Sequence, residues 1–117
     1  MSEKEIGKKL KSRVDNFKDV IRQLNETGKI IGFDYDYKSF TEWLNDYART
    51  FVEDERYRAK RLELNCSCVG TRDYFLFFEN ETIEYHYIDY YDDVKIKLWG
   101  GDYELMSNIR EGYLDYW

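Results

Sequence analysis

The sequence has no proline, a single histidine and only two cysteines among its 117 residues. Proline breaks helices and central strands, so its absence is compatible with either and indicates no function. Two cysteines cannot build the disulfide framework of a small secreted domain. No stretch approaches the roughly eighteen apolar residues of a membrane span, and the charged N-terminus lacks the apolar core of a signal peptide. These absences predict a cytoplasmic protein with no membrane association.

The chain also lacks the short motifs that mark common catalytic and cofactor sites. It contains no GxxxxGK[ST], GxGxxG, HExxH or GxSxG pattern. His86 is a candidate for acid–base catalysis because imidazole exchanges protons readily near neutral pH, but a structural histidine on a strand is the more common case. Cys66 and Cys68 offer two thiolates, yet a closed zinc site needs more ligands than this pair supplies, so we expect both in the core. The sequence therefore predicts a protein that is not an enzyme and binds no cofactor or metal.

The sequence is rich instead in aromatic and charged residues. Apolar residues make up 43% and charged residues 36%, which suits a single folded domain, residues 1–117, with a densely charged exterior. Aromatic residues make up 19%, and twelve of them are tyrosines, whose hydroxyls tolerate water. The net charge is −6, and residues 73–117 carry eleven Asp/Glu against three Lys/Arg. This negative field disfavours direct binding of nucleic acid and favours basic partners.

Two helices are predicted in the N-terminal half. Apolar residues recur at helical spacing over residues 3–25, and Gly28 follows where helices commonly end. The lysines and arginines of this helix form either a solvated face, which the interleaved acids favour, or a contact with nucleic acid or an acidic partner. Ser39 and Glu42 make a capping-box pattern that predicts a second helix running to about Arg58.

The C-terminal half alternates apolar and polar residues, as half-buried strands do. Four strands are predicted, at residues 62–68, 73–79, 82–90 and 93–99. The segment 29–37 (KIIGFDYDY) also alternates and fits a short strand or an extended linker, and Asp102 is a candidate N-cap for a short C-terminal helix. The predicted fold is α+β, with two N-terminal helices, a four-stranded mainly antiparallel sheet and a short C-terminal helix.

The segment around the histidine, EYHYIDYYDDVKIKLW (residues 84–99), concentrates tyrosines and carboxylates. The tyrosines could be core residues with hydroxyls at the sheet rim. The carboxylates favour an exposed acidic surface, because acids are poor strand formers and tyrosine rings offer rigid contact area to lysine and arginine. The predicted partner-binding residues are Glu84, Tyr85, Tyr87, Asp89, Tyr90, Tyr91, Asp92 and Asp93.

An acidic aromatic surface is suited to the basic groove of a nucleic-acid-binding protein or nuclease. We therefore hypothesise a small acidic binding protein that inhibits or regulates such a protein by covering its basic site, as a partial nucleic-acid mimic. In size and charge the chain is similar to phage-encoded inhibitors of host defence nucleases, such as anti-CRISPR and antirestriction proteins; this is a resemblance of composition. Two alternatives remain open: an immunity protein or antitoxin that neutralises a basic toxin, and a small-molecule-binding or enzymatic α+β domain with a tyrosine-lined pocket. Exposed tyrosines could also form a homodimer interface.

Overall fold

The computed structural model describes residues 3–47, 50–54, 58–64, 71–89 and 93–113. Within these residues the elements are α1 (Glu3–Thr27), α2 (Phe40–Tyr47), β1 (Thr50–Asp54), β2 (Ala59–Glu63), β3 (Arg72–Phe78), β4 (Ile83–Ile88), β5 (Asp93–Lys97) and α3 (Gly100–Tyr113). The strands form one antiparallel sheet in the order β1-β2-β3-β4-β5, so each strand pairs with the next along the chain. The predicted α+β class is confirmed.

The long helix α1 forms because its apolar residues recur on one face. Its buried residues are Ile6, Leu10, Val14, Phe17 and Val20. The helix ends at Thr27, and Gly28 follows with a φ of 78° while its N–H donates to the Leu24 carbonyl oxygen at 2.9 Å. This left-handed glycine is the predicted stop signal. No helix in the described part of the chain is both long and apolar enough to cross a membrane.

The second helix is shorter than predicted, and a fifth strand follows it. Ser39 Oγ accepts the backbone N–H of Glu42 at 3.1 Å, as expected of an N-cap. The helix nevertheless ends at Tyr47, and residues 50–54 form β1, which pairs with β2. The helical prediction to Arg58 and the count of four strands were wrong, because β-branched residues in the segment TFVED favour a strand and pairing with β2 satisfies their backbone.

Two element boundaries also differ from the prediction. The strand β2 begins at Ala59, earlier than the predicted strand at 62–68, whose two cysteines lie outside the described residues. Helix α3 begins at Gly100 and not after Asp102, and the φ of Gly100 is 61°, a conformation that glycine adopts without strain. Asp102 lies in the first turn of α3, where the helix dipole favours a carboxylate, and pairs with Lys11 at 3.3 Å.

The core lies between the helices and one face of the sheet. Phe17 of α1 is at its centre, with ring centroids 5.7 to 6.1 Å away in Phe40, Trp43, Tyr47 and Phe75. In β2, β3 and β4, alternate residues face the helices and join the core. Helix α3 contributes Met106 and Ile109. Much of the aromatic content is therefore used in packing the helices onto the sheet.

One buried ion pair connects α1 to the sheet. The Arg13 guanidinium donates to both carboxylate oxygens of Asp73, from Nε at 2.7 Å and from Nη2 at 2.9 Å, and Nη1 donates to the Tyr47 hydroxyl at 2.7 Å. The Tyr85 hydroxyl donates to the same carboxylate at 2.7 Å. Burial alone would lower the pKa of Arg13, but the hydrogen bonds and negative charge that Asp73 and Tyr47 supply together outweigh burial and hold that pKa above its ordinary value. This network fixes the position of α1 across β3 and β4.

Candidate partner-binding surface

The predicted contact residues divide between the two faces of β4. Tyr85 and Tyr87 point towards the helices and are only 0% and 6% exposed, so their rings belong to the core. In the strand register Tyr85 lies between Phe75 and Ile96, which face the same way. Neither ring is available to a partner, which corrects the predicted contact set: alternation places both tyrosines on the face that the helices cover.

The carboxylates of the predicted set lie on or beside the opposite face, where lysines flank them. Glu84 is directly opposite Lys97 in the register, and Lys95 follows Asp93 by two positions on the same face of β5. Asp89 is half-buried just after β4. Three predicted residues, Tyr90, Tyr91 and Asp92, lie outside the described residues. In its described part, this face mixes carboxylates with lysines and does not concentrate acid.

The histidine is part of the packing of this face. His86 is 0% exposed, its ring stacks on Tyr74 with centroids 5.2 Å apart, and its Nε2 lies 2.8 Å from Glu84 Oε1. Since an ionised carboxylate only accepts, Nε2–H is the donor of this bond. A ring without exposed surface cannot touch a substrate, so the structural interpretation of His86 fits this geometry and the catalytic one does not.

The same face carries a row of paired charges around the Tyr74 ring. The guanidinium carbons of Arg61 and Arg72 lie 5.4 and 6.0 Å from the ring centroid. Arg72 donates to both oxygens of Glu63 at 2.6 and 2.9 Å, and Arg61 lies 3.4 Å from the buried Asp54. Charges of opposite sign neutralise one another here, so the row presents little net charge.

Two cavities have described residues in their walls. A cavity of about 320 Å³ has Glu53, Ala59, Lys60 and Glu79 in its wall, and a more open one of about 220 Å³ lies beside Lys97 and Tyr103. The described walls of both contain no histidine, cysteine or serine. Across the described ranges, no group of three or more His, Cys, Asp and Glu side chains could hold a metal ion.

Three exposed large apolar side chains lie elsewhere, in the loop between α1 and α2. Ile31 is 72% exposed, Phe33 is 101% exposed and Tyr35 is 55% exposed. We name residues 31–36 the aromatic loop. Of the large apolar side chains exposed in the described ranges, only Trp99 lies outside it. Single exposed apolar residues are common on proteins, whereas three in one short loop are typical of an interaction site.

Hydrogen bonds hold the backbone on both sides of the aromatic loop. Ile30 and Tyr37 exchange two backbone hydrogen bonds, at 2.8 and 2.7 Å, and thereby close the base of the loop. The Ile31 N–H donates to the Gln23 side-chain oxygen of α1 at 2.8 Å. A Cβ on Gly32 would lie 2.1 Å from the Tyr35 carbonyl oxygen, so only glycine fits this close approach. The loop therefore exposes its apolar side chains from an ordered backbone.

Asp46 of α2 joins two tyrosines at this loop. Its Oδ2 accepts the Tyr35 hydroxyl at 2.7 Å and the Tyr37 hydroxyl at 2.9 Å, and the two rings meet edge to face with centroids 5.1 Å apart. The bond to Asp46 raises the pKa of Tyr35 to about 12, and the two hydroxyls lower the pKa of Asp46 below its ordinary value. Asp46 thus remains ionised while it positions the loop against α2.

Negative charge surrounds the exposed rings. Asp34 and Asp36 belong to the loop, and Glu42 and Asp46 lie one turn apart on the exposed side of α2. Residues 31–47 contain a single cation, Lys38, while Lys29 pairs with Asp36 at 3.1 Å. We name the aromatic loop together with Glu42 and Asp46 the acidic aromatic surface.

The sequence analysis missed this surface as a binding site, although its signal is visible. The stretch GFDYDY alternates aromatic residues with acids, which we interpreted only as a short strand or a linker. In the structure the segment makes a single isolated bridge, Ile30 with Tyr37, and residues 33–36 are exposed to solvent.

Comparison with known proteins identifies no relative from which a function could be transferred. No protein-family model matches the chain, and searches of curated proteins and of solved structures return no significant match.

Proposed function

We propose that this protein is a small binding protein that inhibits or regulates a nucleic-acid-handling protein by covering its basic site. The observation that carries the proposal is the aromatic loop, whose ordered backbone exposes Ile31, Phe33 and Tyr35 among carboxylates. Negative charge combined with exposed aromatic rings is complementary to a groove that binds nucleic acid through lysine and arginine.

Phe33 has the properties of an anchor residue. Its side chain is fully exposed, so docking into a pocket would remove its whole apolar surface from water. Truncation of such an aromatic anchor typically costs at least about 2 kcal/mol of binding free energy. Because hydrogen bonds already hold the loop, little backbone entropy is left to lose on binding. We expect Phe33 to fill an apolar pocket inside the partner's basic site.

The carboxylates would raise the rate of association and favour basic partners over others. Exposed charges of one sign accelerate association with an oppositely charged partner, and salt screens the effect. Carboxylates seated on the partner's lysines and arginines would also occupy the positions that phosphates take. Nucleic acid should therefore compete with this protein for the partner. Nonspecific adhesion through apolar side chains would show no such competition.

A photo-crosslinking experiment tests the proposal. p-Benzoylphenylalanine is placed at position 33, and at position 108, an exposed site on α3, in a matched control. We expect one host protein to crosslink from position 33 and not from position 108, and added duplex DNA to suppress the crosslink. If duplex DNA left the crosslink unchanged, the mimicry proposal would be wrong. A captured toxin would instead support the immunity-protein alternative.

A pair of charge variants measures the electrostatic part once a partner is captured. The variant Asp34→Asn/Glu42→Gln removes two charges from the acidic aromatic surface without touching the hydrogen bonds that hold the loop. The control Glu79→Gln/Glu111→Gln removes two exposed charges at distant positions. Only the first variant should associate more slowly and depend less on salt. Equal rates for both variants would show that this surface is not the contact site.

A further inference from the structure

The outer face of α1 carries a continuous stripe of cations. Charged residues recur there every three or four positions, so they line one side of the helix. The stripe consists of Lys4, Lys8, Lys11, Asp15, Lys18 and Arg22, all exposed. It lies on the side of α1 away from the buried residues that contact the core. The stripe carries five cations and one carboxylate of its own, and Asp19 and Asp102 lie beside it as partners of Arg22 and Lys11.

Most of this charge is available to a ligand. Lys11 pairs with Asp102 at 3.3 Å but keeps 57% of its side chain exposed, and Arg22 pairs with Asp19 and keeps 66% exposed. Within the described residues, Lys4, Lys8 and Lys18 make no ion pair. The acids elsewhere in the protein do not cancel the stripe, because charges more than about 10 Å apart are largely screened at about 0.1 M salt.

We infer that the outer face of α1 binds the phosphate backbone of a nucleic acid. From Lys4 to Arg22 the stripe is about 27 Å long, at about 1.5 Å of rise per residue. A DNA duplex advances about 3.4 Å per base pair, so the stripe spans roughly eight base pairs. Its cations face a single direction, so they can meet those phosphates of both strands that lie on the near side of a duplex. Such contacts read charge and spacing and carry no sequence preference.

This inference goes beyond the proposed function and does not depend on it. The acidic aromatic surface follows α1 in the chain, and the two surfaces have opposite charge. A protein with both could engage a nucleoprotein complex on both components, with the aromatic loop on the protein and α1 on nucleic acid that remains accessible beside it.

The test is direct binding of the full-length protein to a labelled DNA duplex of about 20 base pairs, followed by fluorescence anisotropy between about 50 and about 200 mM salt. We expect saturable binding whose log affinity falls against log salt with a slope of about −3 to −4, since each phosphate contact contributes about −0.9. The variant Lys8→Gln/Lys18→Gln should reduce the magnitude of the slope by about two and weaken binding roughly 50-fold at about 0.1 M salt.

Two control variants test whether duplex binding depends on the stripe. One tests the effect of total charge on binding, and the other tests the effect of the acidic aromatic surface. The variant Lys95→Gln/Lys97→Gln removes two exposed cations from β5 and should bind the duplex as the parent does. The variant Phe33→Ala should also bind the duplex as the parent does, because Phe33 is not one of the stripe residues. Absence of saturable binding at about 50 mM salt, or equal weakening by the two lysine double variants, would overturn the inference. Failure of the crosslinking experiment would leave these results unaffected.

Discussion

The buried network between Arg13, Asp73 and Tyr85 predicts a large and specific loss of stability in the variant Asp73→Ala. The carboxylate is only 4% exposed and accepts hydrogen bonds from both partners. Its removal would leave the Arg13 charge without its buried counterion and the Tyr85 hydroxyl without its acceptor. Breaking a buried ion pair by deleting one partner costs about 3 to 5 kcal/mol.

The structure places the expected cost at the lower end of that range. The Arg13 side chain keeps 22% of its surface exposed and retains its bond to Tyr47, so water and a hydroxyl compensate in part. We expect a loss of about 3 kcal/mol. With an unfolding entropy of about 2.1 cal/mol/K per residue over 117 residues, the midpoint of thermal unfolding should fall by about 12 °C.

Urea and thermal unfolding followed by far-ultraviolet circular dichroism measure this loss against two controls. The variant Asp19→Ala breaks only the exposed pair with Arg22 and should change stability by no more than about 0.5 kcal/mol. The double variant Arg13→Met/Asp73→Leu replaces the whole pair by apolar side chains and should recover most of the loss, since no buried charge is left unpaired. If Asp73→Ala were as stable as Asp19→Ala, the network would not hold α1 in place.

Three further predictions follow from the packing and the pKa shifts. The variant Phe33→Ala should leave the free energy of unfolding within about 0.5 kcal/mol of the parent, while Phe75→Ala, at 0% exposure, should lower it by about 3 to 5 kcal/mol in urea unfolding. In an NMR titration that resolves the Tyr35 ring, its hydroxyl should ionise near pH 12, and Asp46→Asn should return its pKa towards about 10. Burial next to a carboxylate raises the pKa of Tyr85, so the folded state keeps a proton that the unfolded chain loses above about pH 10. Stability should therefore fall as pH rises above about 10, and Tyr85→Phe should make that fall less steep; an unchanged pH profile would contradict the burial of this hydroxyl.

Local sequence signals were sufficient to predict those features that depend on interactions between residues close together in the chain. The apolar period of α1, the glycine at its end and the Ser39 N-cap each depend on residues within a turn or two of one another, and all appear in the structure. The alternation in β3, β4 and β5 likewise predicted the strands and the α+β class. Element type was predictable wherever the pattern had one interpretation.

The extent of α2 was not predictable in this way. The segment after Tyr47 fits a helix by apolar spacing and a strand by its β-branched residues. Pairing with β2, which joins residues from Asp54↔Ala59 to Thr50↔Glu63, selected the strand. The choice between helix and strand therefore depended on a partner strand that lies outside the segment itself.

The location of the candidate site was decided by tertiary structure for the same reason. Alternation shows that a strand has two faces but does not say which one the helices cover, so the sequence did not show that Tyr85 and Tyr87 are buried. Packing of α1 and its neighbours buried the first pair, while the aromatic loop, with no strand beyond its single bridge, kept Phe33 in solvent. The sequence by itself determined that acids and aromatic rings would alternate in both segments. Only the tertiary structure decided which segment faces another molecule, because exposure depends on what the rest of the chain covers.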